Sequence, residues 1–290
     1  MEYKHIATRQ AKLSDILRRD MGISSGLMNR LKWQQKLFVN GQSRFTNFIV
    51  QPGDVVSIPM DDPAPQYPAE DGELTVLYED EYILAADKPA GMLIHPSRAR
   101  DTGTFANRVI GYYQRTGQRC AFHPVTRLDR DTFGIVLLAK SSHLHAKLQG
   151  SLKKTYEAWV WGGPAEEAGV IDAPIARLPL PSLLRQVRED GKPSVTEYRV
   201  LERKDGCSRL ELRPITGRTH QLRVHCAYMG WPILGDPQYG SRESTEFSEK
   251  LGLYTQMLQA KALTFTHPIT GQPLRLESQT ELTMDNCGIC

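Results

Sequence analysis

Apolar residues recur along this chain at two spacings, one helical and one strand-like, and the switches between them mark its elements. Near the start, Leu13, Ile16 and Leu17 fall on one helical face, and Gly22 is placed to end that helix. Ser24 or Ser25 is placed to cap a second helix carrying Leu27 and Leu31. Asn40-Gly41 predicts a type I′ hairpin turn, and "QPGDVVSI" (residues 51–58) predicts a further turn and a short strand. Two helices and a hairpin make a compact unit over residues 1–60. "DDPAPQYPAEDGE" (residues 61–73), with three prolines, one glycine and five acids, reads as a linker.

Residues 74–290 form the larger body. Leu74, Val76 and Tyr78 alternate, as do Tyr82 and Leu84, and both runs predict strands. "IVLLA" (residues 135–139) is apolar throughout, as a buried strand is. Ser142 is placed to cap a helix bearing Leu144, Leu148 and Leu152. Tyr156, Ala158 and Val160 alternate with Glu157, Trp159 and Trp161, and "SRLELRPI" (residues 208–215) alternates Leu210 and Leu212 with charges. "THQLRVHCAYMG" (residues 219–230) predicts a helix with Thr219 as cap, Leu222, Cys226 and Met229 as core stripe, and Gly230 at its end. Few helices and no βαβ repeat predict an α+β fold with a mixed, largely antiparallel sheet, plus a small N-terminal α/β module.

Composition narrows this picture. The 290 residues are 40% hydrophobic, enough for a sizeable core. No apolar run approaches the roughly 18 residues of a membrane span, and the first twenty residues hold no apolar signal region. Five cysteines without framework spacing fit a reducing, cytoplasmic setting. Cys287 and Cys290 have CxxC spacing but no second ligand pair, so the expectation is a tail with free thiols and no metal site. The net charge of +3 hides a pattern. Residues 1–60 carry nine Lys/Arg against four acids, whereas residues 61–81 carry eight acids and no Lys or Arg. Residues 82–290 are again basic, with 27 Lys/Arg against 21 acids. Two basic bodies are compatible with a polyanion partner, because phosphate contacts release counterions. In the smaller unit Arg30, Lys32 and Lys36 are the cations offered by the second helix and its flank.

"RLDRDTFG" (residues 127–134) places two aspartates and two arginines at the mouth of the apolar run. Two positions apart on an extended loop, Asp129 and Asp131 point to opposite sides. That suits neither a glycosidase pair, whose carboxylates face each other, nor a metal cage, since His123 is the one histidine nearby. A single aspartate acting as nucleophile or base fits, beside the plainer reading of a structural acid. In "KKTYEAWVWG" (residues 153–162), Tyr156 is either a core residue or a stacking platform for a flat base. "TGRTHQLRVH" (residues 216–225) opens a helix whose free N–H groups suit a phosphate, with Arg218 and His220 at its mouth. Arg223, one turn in, is placed to pair with a buried carboxylate.

Together with "GWPILGDPQYG" (residues 230–240), these segments resemble, in order, the motifs of the RluA-type pseudouridine synthase family. "YEDEYILAADKPAGMLIHP" and "LQAKALTFTHPITGQPL" resemble that family's flanks, and residues 13–58 resemble the RNA-binding domain of ribosomal small-subunit protein S-four. The resemblance implies the pseudouridine synthase fold and isomerisation of uridine in RNA, with large-subunit ribosomal RNA first and transfer RNA second as substrate. It implies Asp129 as the catalytic aspartate, Tyr156 as the tyrosine against the base, Arg223 as the aspartate's partner, and Arg127 as the side chain that fills the vacated stack. No cofactor is expected, because nothing is oxidised and no group is lost. The sequence demands no more than a monomer. Four positions depart from the family pattern: Thr126 for His, Phe133 for Ser, Gln259 for His and Asp87 for Asn. Two other readings are a non-catalytic RNA-binding protein of the same fold and a hydrolytic nucleosidase using one aspartate.

Overall fold

A computed structural model describes residues 2–60, 67–97, 101–179 and 181–284. Cys287, Cys290 and the first six positions of the linker lie outside the described residues. A ten-stranded sheet organises the body. Its path runs Ala168–Asp172, Val195–Lys204, Cys207–Pro214, Lys153–Trp161, Leu258–Thr266, Phe133–Ala139, Ile83–Lys88 and Thr75–Glu79. Pro273–Glu277 pairs with Leu258–Thr266, and His123–Pro124 with Phe133–Ala139. Every pairing on this path is antiparallel except one: Phe133–Ala139 lies parallel to Leu258–Thr266 at Phe133↔Gln259 and Gly134↔Ala260. This is the mixed, largely antiparallel sheet that the alternation predicts. At the parallel contact the strands touch so closely that a Cβ on Gly134 (φ +107°) would meet the Ala260 carbonyl oxygen at 2.3 Å. The glycine of "RLDRDTFG" therefore lets two halves of the sheet join.

The run of residues 135–139 is apolar throughout because both of its faces are buried. Val136 and Leu138 pack, with Leu84 and Ala86, under the helix Phe105–Arg115. Ile135, Leu137 and Ala139 face the opposite way, into a cluster with Leu144 and Leu148 that continues to Leu13, Ile16 and Leu17 of the N-terminal unit. That unit is a four-stranded sheet with Glu2–Ile6, Val55–Pro59 and the hairpin Phe38–Val39/Gln42–Ser43, and it carries the helix Ser25–Trp33. Asn40 (φ +50°) and Gly41 (φ +77°) form the left-handed turn that a type I′ hairpin needs. Residues 67–73 have no helix or strand, yet they are docked: Glu70 accepts the Gly103 N–H at 2.8 and 2.9 Å.

Several local expectations are corrected. Of the two candidate serines, Ser24 is the cap, accepting the Leu27 N–H at 3.2 Å. Ser141, not Ser142, caps Ser142–Leu148, and Leu152 lies beyond the end of that helix. The helix Gln221–Tyr228 has no side-chain cap from Thr219; His220 stands at its N-cap in the left-handed region (φ +57°). Leu222 and Cys226 are buried as expected, but Met229 is 41% exposed. The helices Phe105–Arg115 and Arg242–Lys250 were not anticipated. The first does carry an apolar stripe, Phe105, Ala106, Val109, Ile110 and Tyr113, and its spacing was legible; the second is mostly polar and advertises none.

Candidate active site

Asp129 sits on a loop fixed at three points. Thr126 Oγ1 accepts the Leu137 N–H at 2.9 Å, and Thr132 Oγ1 accepts from Gln256 Nε2 at 3.1 Å. Between them, the Lys88 ammonium donates to the Arg130 carbonyl at 2.8 Å. Lys88 is only 1% exposed and also donates to the carbonyls of Pro89 and Met92, each at 2.8 Å. Burial pushes its pKa down to about 7, an effect that Asp131 and then Asp129 oppose. The two aspartates diverge as their spacing requires. Asp131 is taken by its neighbour Arg130 at 2.9 Å, whereas Asp129 lines a cavity of about 940 Å³.

The cavity's charges are lopsided. Asp129 is its one carboxylate among the described lining residues, against Arg127, Lys154, Arg218 and Arg223, with His95, His123, His145 and His220 also present. Tyr156 lines the same cavity, half-buried on the strand Lys153–Trp161. Burial, then the Asp129 charge, raises its hydroxyl pKa, so it stays a neutral phenol. The six body residues singled out from the sequence, Asp129, Tyr156, Arg223, Arg127, Arg218 and His220, therefore share one cavity. Arg30, Lys32 and Lys36 are not among its lining residues. Arg30 and Lys36 border a groove between the N-terminal unit and residues 141–143, and Lys32 lies 6.0 Å from the Trp33 ring centre.

Arg223 is held more elaborately than a simple pair with Asp129 requires. Its Nη1 donates to Asp129 Oδ2 at 3.3 Å. Its Nε and Nη2 grip both oxygens of Asp236 at 2.7 Å, Nη2 also reaches Gln238 Oε1 at 2.8 Å, and its guanidinium lies 4.9 Å from the Tyr239 ring centre. Burial opposes the charge on Arg223, but Asp236 and then Asp129 outweigh it and raise the pKa. Asp236 is a site residue that the sequence reading missed, although "GDPQY" was in view. Its signal was a lone acid in an otherwise uncharged motif; its side chain is fully buried. The Asp236 carboxylate also accepts the Gln238 and Tyr239 N–H groups at 2.9 and 3.2 Å, which bends the chain back over Arg223.

His220 completes the rim. Its Nε2 is 3.8 Å from Asp129 Oδ2, and its Nδ1 shares a 2.8 Å hydrogen bond with the Tyr239 hydroxyl. Burial lowers its pKa, an effect that Asp129 opposes, so the ring is neutral at pH 7. The helix entrance is partly occupied by the protein itself, because the Arg218 N–H donates to Gln221 Oε1 at 3.0 Å. The departures from the family pattern also find places. Thr126 anchors the loop, and Phe133, half-buried, packs against the same core cluster that Tyr156 touches. Asp87 and Gln259 meet at one side chain: Gln259 Nε2 donates to Ser278 Oγ at 3.1 Å, and Ser278 Oγ donates to Asp87 Oδ2 at 2.9 Å.

A large, mostly antiparallel sheet carries a basic cavity around one carboxylate, an arrangement suited to a polyanionic substrate. Residues 82–228 match the family model for RNA pseudouridylate synthase. A Bacillus subtilis protein named "Uncharacterized RNA pseudouridine synthase YjbO" is 37% identical over 89% of this chain and 92% of its own length. "Ribosomal large subunit pseudouridine synthase D" of Pseudomonas aeruginosa is 38% identical over 72% of this chain and 69% of its own. Among solved structures, "Human RNA Pseudouridylate Synthase Domain Containing 4" superposes with a TM-score of 0.57 at 25% identity, covering 71% of this chain and 88% of that one. The chain belongs to the RNA pseudouridylate synthase family and is an RNA-modifying isomerase.

Proposed function

We propose that this enzyme converts one or more uridines of large-subunit ribosomal RNA to pseudouridine, with Asp129 as the nucleophile or base. The observation that carries the reading is the single carboxylate, bonded by Arg223, in a cavity whose other charged lining groups are basic. The relatives named for the large ribosomal subunit favour that RNA over transfer RNA. The target base must leave its stack, at a cost of a few kcal/mol. Arg127, exposed at the cavity rim, has a planar guanidinium that can replace it there. The uracil then lies against Tyr156. Asp129 acts as a carboxylate that needs no activating base. The bond from ribose to ring nitrogen breaks, the base turns, and a bond to ring carbon forms; the carbon's proton is lost to water and the freed ring nitrogen takes one up, so the atoms balance. Closure of the cavity around RNA keeps water from intercepting the detached base.

Arg218 and His220 would contact the RNA at the cavity mouth. The N-terminal unit, an S-four-like module over residues 1–60, would anchor flanking RNA through Arg30, Lys32 and Lys36. A monomer in the cytoplasm, where ribosomes are assembled, suffices for this work. Replacing Asp129 by Ala should abolish tritium release from ring-labelled uridine in ribosomal RNA while RNA binding stays within about threefold. Residual turnover in that variant would sink the assignment. Mass spectrometry separates isomerisation, which leaves the RNA mass unchanged, from base loss. Mapping pseudouridine in ribosomal and transfer RNA from cells with and without the gene identifies the substrate.

A further inference from the structure

The structure holds several enclosed lysines, and they differ in one respect. Lys88 donates to three carbonyls; Lys140 reaches Glu79 at 2.7 Å and the Asp80 carbonyl at 2.6 Å; Lys147 donates to the Tyr3 hydroxyl at 3.1 Å. Lys154 has neither a hydrogen-bond acceptor nor a carboxylate among the described residues, and the charge that acts on it is another cation, Arg127. Burial, then Arg127, lowers its pKa. A half-buried cation at a cavity wall with no counter-charge among the described residues is left for water or a ligand to match, and an anion brought by a ligand would supply that charge. The cavity offers no anion of its own for this, since Asp129 is already bonded to Arg223.

Lys154 and Tyr156 are two residues apart on the strand Lys153–Trp161 and both line the cavity. The irregularity in its pairing with Leu258–Thr266 falls at Lys261 on the partner, so the two side chains share a face. They are separated by two strand steps, about 6.7 Å, which is the scale of one nucleotide's sugar and phosphate. We propose that Lys154 binds the phosphodiester of the flipped-out nucleotide, so that one strand face holds both the base and the backbone of the target. The inference rests on the reading of the cavity as the uridine site, and it adds the group that recognises backbone charge beside Tyr156.

The test uses the full chain and an RNA oligonucleotide spanning the modified uridine. Lys154→Met should raise the Kd roughly tenfold and reduce the slope of log K against log salt by about 0.7–0.9, the loss of one phosphate contact. Lys154→Arg should restore both. A neutral methylphosphonate beside the target should weaken wild type but not Lys154→Met. Without RNA, Lys154→Met should melt no lower than wild type, because an unpaired cation has been removed. An unchanged Kd and salt slope would overturn the proposal, as would a methylphosphonate at either flanking position that weakens variant and wild type equally. Product formation by wild type on the same oligonucleotide is scored separately. If no pseudouridine appears, the uridine-site reading fails, while the binding data still judge Lys154.

Discussion

Arg223 divides its bonds unequally between two carboxylates, and the inequality matters chemically. Both short bonds, at 2.7 Å, go to Asp236, and the longer one, at 3.3 Å, goes to Asp129. An arginine already matched by one buried acid is held in place by it and can align the second through a single, longer bond. Asp236 is thus a positioning residue. Asp236→Asn should destabilise the fold by about 3–5 kcal/mol, as expected when half of a buried pair is removed. It should also slow turnover by about a hundredfold through loss of alignment. Thermal melting and single-turnover rates at saturating RNA check the two effects. A variant that melts early yet turns over at the wild-type rate would show that Asp236 serves the fold alone. Arg223 as a partner of Asp129 was legible from residue type and helix position. Asp236 was not, because the pairing spans 13 residues and a turn that only the folded chain makes.

The helix Ser142–Leu148 is the element on which the N-terminal unit rests. Lys147 donates to Tyr3 and sits 4.8 Å from its ring centre, and His143 lies 6.2 Å from the same ring. His143 Nε2 is buried without a hydrogen-bond partner. Burial, then the Lys147 charge, lowers its pKa to about 4. A histidine whose folded pKa lies below its unfolded value of about 6.5 favours the folded state most above that value. The contribution is lost as pH falls from about 6.5 toward 4. A shift of that size in a buried ring makes the loss at most on the order of 3 kcal/mol. Melting temperature followed from pH 7 to pH 4 should therefore drop more steeply for wild type than for His143→Leu. Parallel curves would remove His143 from the account. The sequence indicated this helix through its leucine spacing but placed its start one residue late and its last leucine too far along. Ser141 and Ser142 are chemically alike, and only the fold chose between them.

For the whole molecule, charge and core tell different stories. The charge pattern divides the chain at the acidic stretch, but the apolar cluster runs from the N-terminal unit through Leu144 and Leu148 to Ile135 and Leu137. Deleting residues 1–60 would strip that cluster as well as its charges, so point substitutions are the cleaner probe. Replacing Arg30, Lys32 and Lys36 together with Gln should weaken RNA binding and lower the salt slope by up to about 2–3. Melting should change little, since none of the three pairs with a carboxylate among the described residues. An unchanged slope would remove the N-terminal unit from the RNA interface. No helix among the described residues is long and apolar enough to cross a membrane.

By itself the sequence determined the sheet's alternating strands, the glycine turns, the basic balance on either side of the acidic stretch, and which charged and aromatic residues would gather at one cavity. Those properties are local, written in spacings of two to four residues or in simple counts. Tertiary structure alone decided that Asp236 holds Arg223, that Lys88 pins the loop of Asp129 through the Arg130 carbonyl, that Asp87 and Gln259 meet at Ser278, and that Lys154 is left without a counter-charge among the described residues. Each of these depends on contacts made, or left unmade, between segments that only the folded chain brings together. Burial then determines which charges must be matched within the protein and which are left for RNA.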